Sequence, residues 1–239
     1  MAVFAISDLH LSLGVNKPMD MFGGNWVNYT ARIKQEWEKI ITEHDSVIIP
    51  GDISWATYLE QSTEDFEFLN ALPGEKIVLK GNHDYWWTTL KKLDDFMQKN
   101  KFYTIKFLHN NCYKVDNIVL CGTRGWKCPG DEDFDEEDRK IYLRELQRLE
   151  LSLKCAKKAS EEESPHLPII AAMHYMPFNT KKQPSDFIQM FKEYNVKMCL
   201  YGHLHGDGIK NAVEGIIDGI DYKLISADYL EFKPIKLEF

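Results

Sequence analysis

Short apolar runs rich in β-branched residues recur along this chain of 239 residues, and they constrain its fold more than any other feature. The runs cover residues 3–7, 47–50, 77–80, 118–122, 169–173, 198–201 and 224–227. Several are apolar throughout, which is typical of strands buried on both faces. Helical patterns lie between some of them, at residues 33–41, 88–100 and 185–194. This alternation predicts an α/β layered fold, and the closer spacing of runs after residue 102 predicts some direct strand-to-strand connections.

Side chains of the types that bind metals follow directly after several of these runs. In chain order, the motifs are Asp8-x-His10, Gly51-Asp52, Gly81-Asn82-His83-Asp84, a lone His174 and Gly202-His203-x-His205. Ligands of open α/β sheets bind beyond the carboxyl ends of the strands, so we expect these side chains to converge at one edge. Taken singly, His174 fits an ordinary core or surface histidine better than a ligand. The combination carries the argument, because chance yields a Gly-His-x-His motif only about 0.02 times in a chain of this composition.

These residue types favour a pair of divalent metal ions. Two ions roughly 3.5–4 Å apart clamp the attacking and departing oxygens of an in-line displacement, and they acidify a water that supplies hydroxide near neutral pH. A carboxylate can bridge both ions. Imidazoles suit Zn, Fe, Mn or Ni, whereas carboxylate and amide oxygens suit harder ions such as Mn or Mg. We therefore expect two divalent ions, of Mn, Fe or Zn, at this edge.

The motifs and their order resemble those of the calcineurin-like metallophosphoesterases, over landmarks from residue 8 to residue 205. The resemblance implies a two-sheet β sandwich flanked by helices, in four α/β/β/α layers, with a dinuclear metal centre at its edge. It implies that Asp52 bridges the two ions. The implied ligands of the first metal are Asp8, His10, Asp52 and His205, and the remaining ligands of the second metal are Asn82, His174 and His203.

The resemblance also implies catalytic residues. His83 is similar to the family's non-ligand histidine, which contacts the phosphate and protonates the leaving group, and histidine suits general acid catalysis near neutral pH. Asp84 completes the same motif, and support of the loop suits it better than direct chemistry. The protein Ser/Thr phosphatases of this superfamily carry Asp-Arg-Gly and Gly-Asn-His-Glu, whereas this chain has Gly51-Asp52-Ile53-Ser54-Trp55 and Gly-Asn-His-Asp. The chain is therefore more similar to the small bacterial-type phosphohydrolases.

Arg124 and several aromatic residues near the motifs have two interpretations each. The Arg124 guanidinium either holds a phosphate bidentately or forms a structural ion pair. The aromatic residues are Trp55, Tyr85, Trp86, Trp87 and Trp126. Such a cluster either stacks on a base or sugar or fills the core at the sandwich edge, and the core interpretation is favoured.

A segment at about residues 127–166 is interpreted as a helical insertion within one domain that spans residues 1–239. Seven acids occur among the eight residues 131–138, and apolar residues then follow at helical spacing from Tyr142 to Ala156. Acids in the first turn suit the helix dipole. The favoured interpretation is a helix packed along the sandwich with a solvated acidic start, and the alternative is a cap that helps to select substrates.

Composition limits the partners and the compartment. The net charge of −8 argues against binding of long nucleic acids through a basic surface, but bound metals would still attract an anionic substrate. The five cysteines are odd in number and include no Cys-x-x-Cys pair, so we expect no disulfide framework and a reducing compartment. The N-terminus lacks a signal-peptide pattern and no apolar run approaches the ~20 residues of a membrane span, so we expect a cytoplasmic protein without a membrane partner.

The sequence predicts a metal-dependent phosphoesterase that cleaves phosphomonoester or phosphodiester bonds of a small phosphorylated substrate, and the aromatic cluster favours a nucleotide. The alternative is a catalytically idle scaffold with the same fold that binds other proteins. Such a scaffold has no need of a non-ligand histidine beside the metals. The presence of His83 and of every other motif residue therefore favours the enzyme.

Overall fold

Two sheets stack face to face in the computed structural model, which describes residues 1–19 and 23–239. The first sheet contains β1 (Val3–Ala5), β2 (Ser46–Pro50), β3 (Glu75–Leu79), β4 (Ile105–Phe107) and β11 (Ile235–Lys236). Its order is β11-β1-β2-β3-β4. Strands β1 to β4 are parallel, and β11 pairs antiparallel with β1.

The second sheet has the same mixed character. It contains β5 (Tyr113–Val115), β6 (Ile118–Thr123), β7 (Ile169–Met173), β8 (Val196–Tyr201), β9 (Gly215–Ile217) and β10 (Ile220–Leu224). Its order is β5-β6-β7-β8-β10-β9. Strands β6, β7, β8 and β10 are parallel, whereas β5 and β9 pair antiparallel with their sequence neighbours β6 and β10. These two pairs confirm the predicted direct connections.

Helices cover the outer face of each sheet, which confirms the α/β/β/α sandwich. The helices are α1 (Tyr29–Ile40), α2 (Thr63–Ala71), α3 (Leu90–Asn100), α4 (Glu136–Glu161) and α5 (Asp186–Glu193). Side chains alternate between the faces of a strand. In β1 and β2, Ala5 and Ile48 pack between the sheets, whereas Phe4 and Val47 pack against α1, α2 and α3 on the outside. Both faces are buried, so these strands read as continuous apolar runs.

Helix α4 begins inside the acidic segment. The Asp135 carboxylate caps it by accepting hydrogen bonds from Glu137 N and Asp138 N, and three acids in the first turn face the positive end of the helix dipole. The apolar face of α4, which includes Leu149 and Leu153, packs on the second sheet. This packing agrees with the favoured interpretation of the segment, while its boundaries as an insertion stay a prediction.

Two expectations from the sequence were wrong. Cys112 and Cys155 form a disulfide, with their Cα atoms 5.7 Å apart, between the segment before β5 and helix α4. These cysteines are 43 positions apart, and tertiary packing rather than a local motif pairs them. The cytoplasmic location stays a prediction. Because a disulfide is present, the cysteines no longer support a reducing compartment.

The seventh apolar run, at residues 224–227, is also not the strand that was expected. Strand β10 ends at Leu224, and the following residues cross towards the first sheet, where Ser226 forms an isolated bridge with Ser7. Ile225 and Ala227 are buried during this crossing, which explains the apolar pattern without a strand. No helix within residues 1–19 and 23–239 combines the length and the apolar character needed to cross a membrane.

Candidate metal centre

The motif residues converge at one edge of the sandwich, where parallel strands of both sheets end. Asp8, Asp52 and Asn82 follow β1, β2 and β3, and His174 and His203 follow β7 and β8. The loops after β1 and β2 continue side by side, because Asp8 N donates a hydrogen bond to Gly51 O and His10 N donates one to Asp52 O. The structure therefore brings together side chains that are up to 197 positions apart, from Asp8 to His205.

Two groups of side chains at this edge could each hold a cation, and Asp8 belongs to both. Ligand atoms of Asp8, His10 and His205 lie within 4.8 Å of one another, and so do those of Asp8, Asp52 and His174. Asp52 Oδ2 lies 3.8 Å from His10 Nε2 and 3.4 Å from His174 Nε2. One carboxylate oxygen thus faces both groups, as a bridging ligand would.

The Asn82 amide and the His203 imidazole lie beside the second group. Asn82 Oδ1 lies 2.7 Å from His174 Nε2. The His203 ring lies 5.1 Å from the His174 ring, centroid to centroid, and stacks on Tyr175 at 4.1 Å. His203 N also donates a hydrogen bond to the Asp8 carboxylate.

The backbone at four of these positions has left-handed torsion angles, which residues other than glycine rarely adopt. The φ angles are 60° at Asp8, 45° at His10, 50° at Asp52 and 71° at His203. Each such residue costs of order 1–3 kcal/mol and persists where the surrounding structure holds it, often at functional sites. The hydrogen bonds between the loops after β1 and β2 hold three of the four.

Glycines of the motifs make room for the carboxylates. A Cβ atom at Gly81 would collide with Asp52 Oδ1, and one at Gly202 would collide with Asp8 Oδ2. These collisions explain why glycine precedes Asn82 and His203. The two glycines thus make room for candidate ligands that follow other strands.

Both carboxylates of the centre are ionised. Burial opposes this, but the His205 imidazole lowers the pKa of Asp8 to about 2. Burial also raises the pKa of Asp52, but the His174 imidazole outweighs it and holds the pKa of that carboxyl far below its usual range. Two buried negative charges side by side are costly unless positive charge is near, so this arrangement suits cations.

The imidazoles differ in protonation. Burial lowers the pKa of His10 to about 4 and that of His203 to about 3, so both rings are neutral near pH 7 and keep a lone pair. At His205, Asp8 and Asp228 outweigh burial and raise the pKa to about 10. His10 Nε2 and His205 Nε2 face each other at 3.3 Å. Because two nitrogen lone pairs repel each other at this distance, a proton or a metal ion must lie between them. The mixed nitrogen and oxygen donors fit divalent transition metals.

Neighbouring groups orient two of the imidazoles. His174 Nδ1 donates to Pro50 O at 3.0 Å, which leaves Nε2 directed towards Asp52 and Asn82. His205 Nδ1 donates to Asp228 Oδ1 at 2.8 Å, and Gly206 N donates to Asp228 Oδ2. The sequence reasoning missed Asp228. Its signal was present, because Asp228 directly follows the apolar run at 224–227.

His83 lies beside the two groups without joining either. Its backbone N donates to Asp52 Oδ1 at 2.8 Å, and its ring packs on Trp55 with centroids 4.4 Å apart. The ring is partly buried, which lowers its pKa. Its buried Nδ1 has no hydrogen-bond partner within residues 1–19 and 23–239.

Asp84 supports the loop that carries Asn82 and His83. Its carboxylate is fully buried and accepts hydrogen bonds from four N–H groups of the described residues. The donors are the backbone amides of Ile53, Ser54 and Gly81 and the Trp86 indole. Asp84 thus connects the loops after β2 and β3, as expected for a supporting residue.

Arg124 is held by a carboxylate and an indole. Its guanidinium pairs with Glu145 at 3.2 Å and lies 4.4 Å from the centre of the Trp126 ring. Its carbonyl oxygen accepts hydrogen bonds from His174 N and Tyr175 N. The ion-pair interpretation accounts for these guanidinium contacts, and the backbone of Arg124 positions His174.

The aromatic residues near the motifs divide into two groups. Trp86 is buried in the core outside the first sheet, and Trp87 packs against that core. Trp55 instead stacks on the His10 ring at 5.0 Å, beside the candidate centre. Trp26, which lies in no motif, contacts the same His10 ring edge-on at 5.8 Å.

Comparisons with known proteins agree with the geometry. The sequence model of the calcineurin-like phosphoesterases matches residues 1–207. A solved structure of a protein of unknown function from Aquifex aeolicus aligns with 98% of this chain and 95% of its own, at 16% identity and a TM-score of 0.51. The phosphopantetheinyl hydrolase of Mycobacterium tuberculosis aligns with 99% of this chain and 95% of its own, at 12% identity and a TM-score of 0.55. At such identities these structures establish the fold alone. No curated protein matches the sequence.

Proposed function

The chain belongs to the calcineurin-like phosphoesterase family, and we propose that it is a phosphohydrolase with a dinuclear metal centre, acting on a phosphomonoester or phosphodiester. Two divalent ions, of Mn, Fe or Zn, would supply Lewis acidity for the phosphoryl oxygens and a water of lowered pKa. Asp8, His10, Asp52 and His205 would hold the first ion. Together with Asp52, the second ion would be held by Asn82, His174 and His203.

The position of Asp52 is the observation that carries this proposal. Its Oδ2 faces His10 Nε2 and His174 Nε2 at 3.8 and 3.4 Å, while its Oδ1 accepts from His83 N. One side chain therefore connects both candidate ion sites to the residue proposed as general acid. A carboxylate suits the bridge because its charge offsets part of the repulsion between two cations.

His83 would donate a proton to the departing oxygen. It lies next to the bridging carboxylate but outside both groups of ligands, so its ring remains available to the substrate. Burial is the largest cause of the lowered pKa of His83, and the positive charge of Lys17 lowers that pKa further. Loss of a general acid of this kind typically costs about 10²–10⁴ in rate.

The substrate would be small and phosphorylated. The overall charge of −8 disfavours a long nucleic acid, whereas the centre attracts phosphate once its ions are bound. Arg124 would act through the position of His174 and not by holding phosphate.

The test measures metal content and the hydrolysis of aryl phosphate mono- and diesters by Mn-loaded protein. We expect about two metals per chain in both wild type and His83→Ala, with turnover lost by about 10²–10⁴ in the variant. His44→Ala, at an exposed histidine away from the motifs, is the matched control and should behave as wild type. Turnover that survives in His83→Ala would contradict the assigned acid. Two bound metals without turnover of any ester in wild type would favour the idle scaffold.

A further inference from the structure

A cavity of about 650 Å³ opens directly beside the candidate centre, and we call it the aromatic cavity. Its floor is formed by His10, His83 and His205, and its walls include Trp26 and Trp55. Its volume lies within the range of about 300–1,000 Å³ that small-molecule sites occupy.

The residues that form the floor determine which part of a substrate would occupy the aromatic cavity. His83 lines the cavity, and the general acid must lie next to the oxygen that departs. In the hydrolysis, the oxygen of water bonds to phosphorus and one proton of that water is released to solvent, while the bond from phosphorus to the leaving oxygen breaks and His83 gives its proton to that oxygen. His83 then takes up a proton from solvent. The group in the aromatic cavity is therefore the leaving group, and this step depends on the proposed function.

The walls are apolar and firmly held. Trp26 is 5% exposed, and Tyr29 and Phe232 contact its ring edge-on at centroid distances of 5.3 and 5.1 Å. Trp55 stacks on His10 at an interplanar angle of 22°. Its Nε1 donates to the sulfur of Met19, which also lines the cavity. The Trp55 indole offers a surface that planar rings prefer, and the buried Trp26 indole forms the wall beside His10.

The rim adds polar groups that an aliphatic leaving group would not use. The Asn25 side chain is exposed at the rim and forms no hydrogen bond with the described part of the chain. The Lys17 ammonium lies 4.4 Å from the centre of the Trp55 ring, on an exposed and flexible side chain. A heteroaromatic ring could bond with its edge to Asn25 and stack where Lys17 now covers the indole.

We propose that the aromatic cavity binds the leaving group of the substrate, and that this group carries a planar heteroaromatic ring of nucleobase size. The phosphate would lie over the metal ligands, and the ring would lie between the indole walls. An alkyl or sugar leaving group would leave most of the cavity filled with water.

Gly24 offers a way to fill the cavity without disturbing its walls. It lines the cavity, its φ lies outside the left-handed region, and a Cβ atom there would have no heavy atom of residues 1–19 and 23–239 within 4 Å. Gly24→Leu therefore adds volume at the rim without backbone strain. Gly208 has the same two properties but does not line the cavity, so Gly208→Leu is the matched control.

The substrates are adenosine 5′-phosphate and ribose 5-phosphate, tested as monoesters and as methyl diesters. Cleavage is measured as the release of adenosine or ribose, so in both substrates the leaving oxygen is a primary ribose hydroxyl and only the base differs. For wild type and Gly208→Leu we expect kcat/KM to favour the adenosine ester by about 5–150-fold, the range that one base–indole stacking contact gives. Gly24→Leu should remove this preference. Equal turnover of both esters by wild type, or equal losses on both in Gly24→Leu, would overturn the assignment.

A binding measurement separates this proposal from the proposed function. Adenosine alone should quench the tryptophan fluorescence of the Mn-loaded protein, and its Kd should rise at least about tenfold in Gly24→Leu but not in Gly208→Leu. Adenosine binding without turnover of any ester would support the cavity assignment and contradict the phosphohydrolase. Ester turnover without adenosine binding would contradict the cavity assignment alone.

Discussion

Asp228 is the residue whose removal tests most directly how the candidate centre is held. Its carboxylate accepts from His205 Nδ1 at 2.8 Å and from Gly206 N at 3.2 Å, and its side chain is only 6% exposed. These contacts direct His205 Nε2 towards Asp8 Oδ1, 3.3 Å away. Asp228→Ala removes both acceptors, so the ring loses its orientation and its Nδ1–H loses its partner.

The size of the effect follows from these contacts. A hydrogen bond to a charged group contributes about 1.5–3 kcal/mol, and loss of a group that orients a metal-binding histidine typically weakens metal affinity about 10–100-fold. That range corresponds to about 1.4–2.8 kcal/mol, so the two estimates agree. Asp228→Asn retains an acceptor for His205 but brings an amide N–H towards Gly206 N. Its loss of metal affinity should therefore lie between those of wild type and Asp228→Ala.

Calorimetric titration of Mn²⁺ into metal-stripped protein would measure this prediction. We expect one of two sites to weaken in Asp228→Ala and the other to stay as in wild type, because none of Asn82, His174 and His203 forms a hydrogen bond or ion pair with Asp228 in the described structure. Asp207→Ala is the control, since Asp207 is 95% exposed and pairs only with Lys210 in the described structure. Two sites of wild-type affinity in Asp228→Ala would refute the reasoning that Asp228 positions a ligand.

Three further predictions address the bridge, the disulfide and a buried charge. Asp52→Asn should lose metal and activity together, which metal analysis of the purified variant would check, and normal binding of two ions would contradict the bridge. Reduction of the Cys112–Cys155 disulfide should lower the free energy of unfolding by about 2–4 kcal/mol, measured by urea denaturation with and without reductant, with Cys155→Ser as the reductant-insensitive control. Burial lowers the pKa of Lys76 from 10.5 to about 8, so the unfolded chain binds more protons than the folded one between those values. Over that pH range the stability of wild type should rise with pH relative to that of Lys76→Met. A stability difference between the two proteins that stays constant with pH would contradict the lowered pKa of Lys76.

The fold and the meeting of the motif residues were predictable because both depend on local pattern. Runs that are apolar on both faces indicate buried parallel strands, and the carboxyl ends of such strands meet at one edge. Asp8, Asp52 and His174 each follow such a run, so their convergence required only the fold class. Their individual roles as metal ligands stay predictions.

What could not be predicted depends on contacts between distant segments. Trp55 and Trp86 both lie close behind a motif, yet one lines the aromatic cavity and the other is in the core. Trp26 reaches the cavity from a short 3-10 helix, Gly24–Trp26, that has no periodicity to reveal it. Cys112 and Cys155 are paired by the packing of α4 on the second sheet. No pattern along the chain distinguishes these cases.

Residues at the strand ends differ from residues in the segments outside the sheets in a second way, because the former carry the proposed chemistry and the latter the proposed substrate selectivity. The hydrogen bonds from Asp8 N to Gly51 O and from His10 N to Asp52 O hold the left-handed backbone of the ligands against the sheet, and they fix the centre before any substrate arrives. The walls of the aromatic cavity come instead from segments outside the sheets, around Trp26 and Trp55. Such loop segments vary more readily than the strands that they connect, whereas the strand ends hold the candidate ligands on a rigid scaffold. Under the proposed function, the choice of leaving group would therefore depend on Trp26 and Trp55, which lie outside the metal-binding motifs.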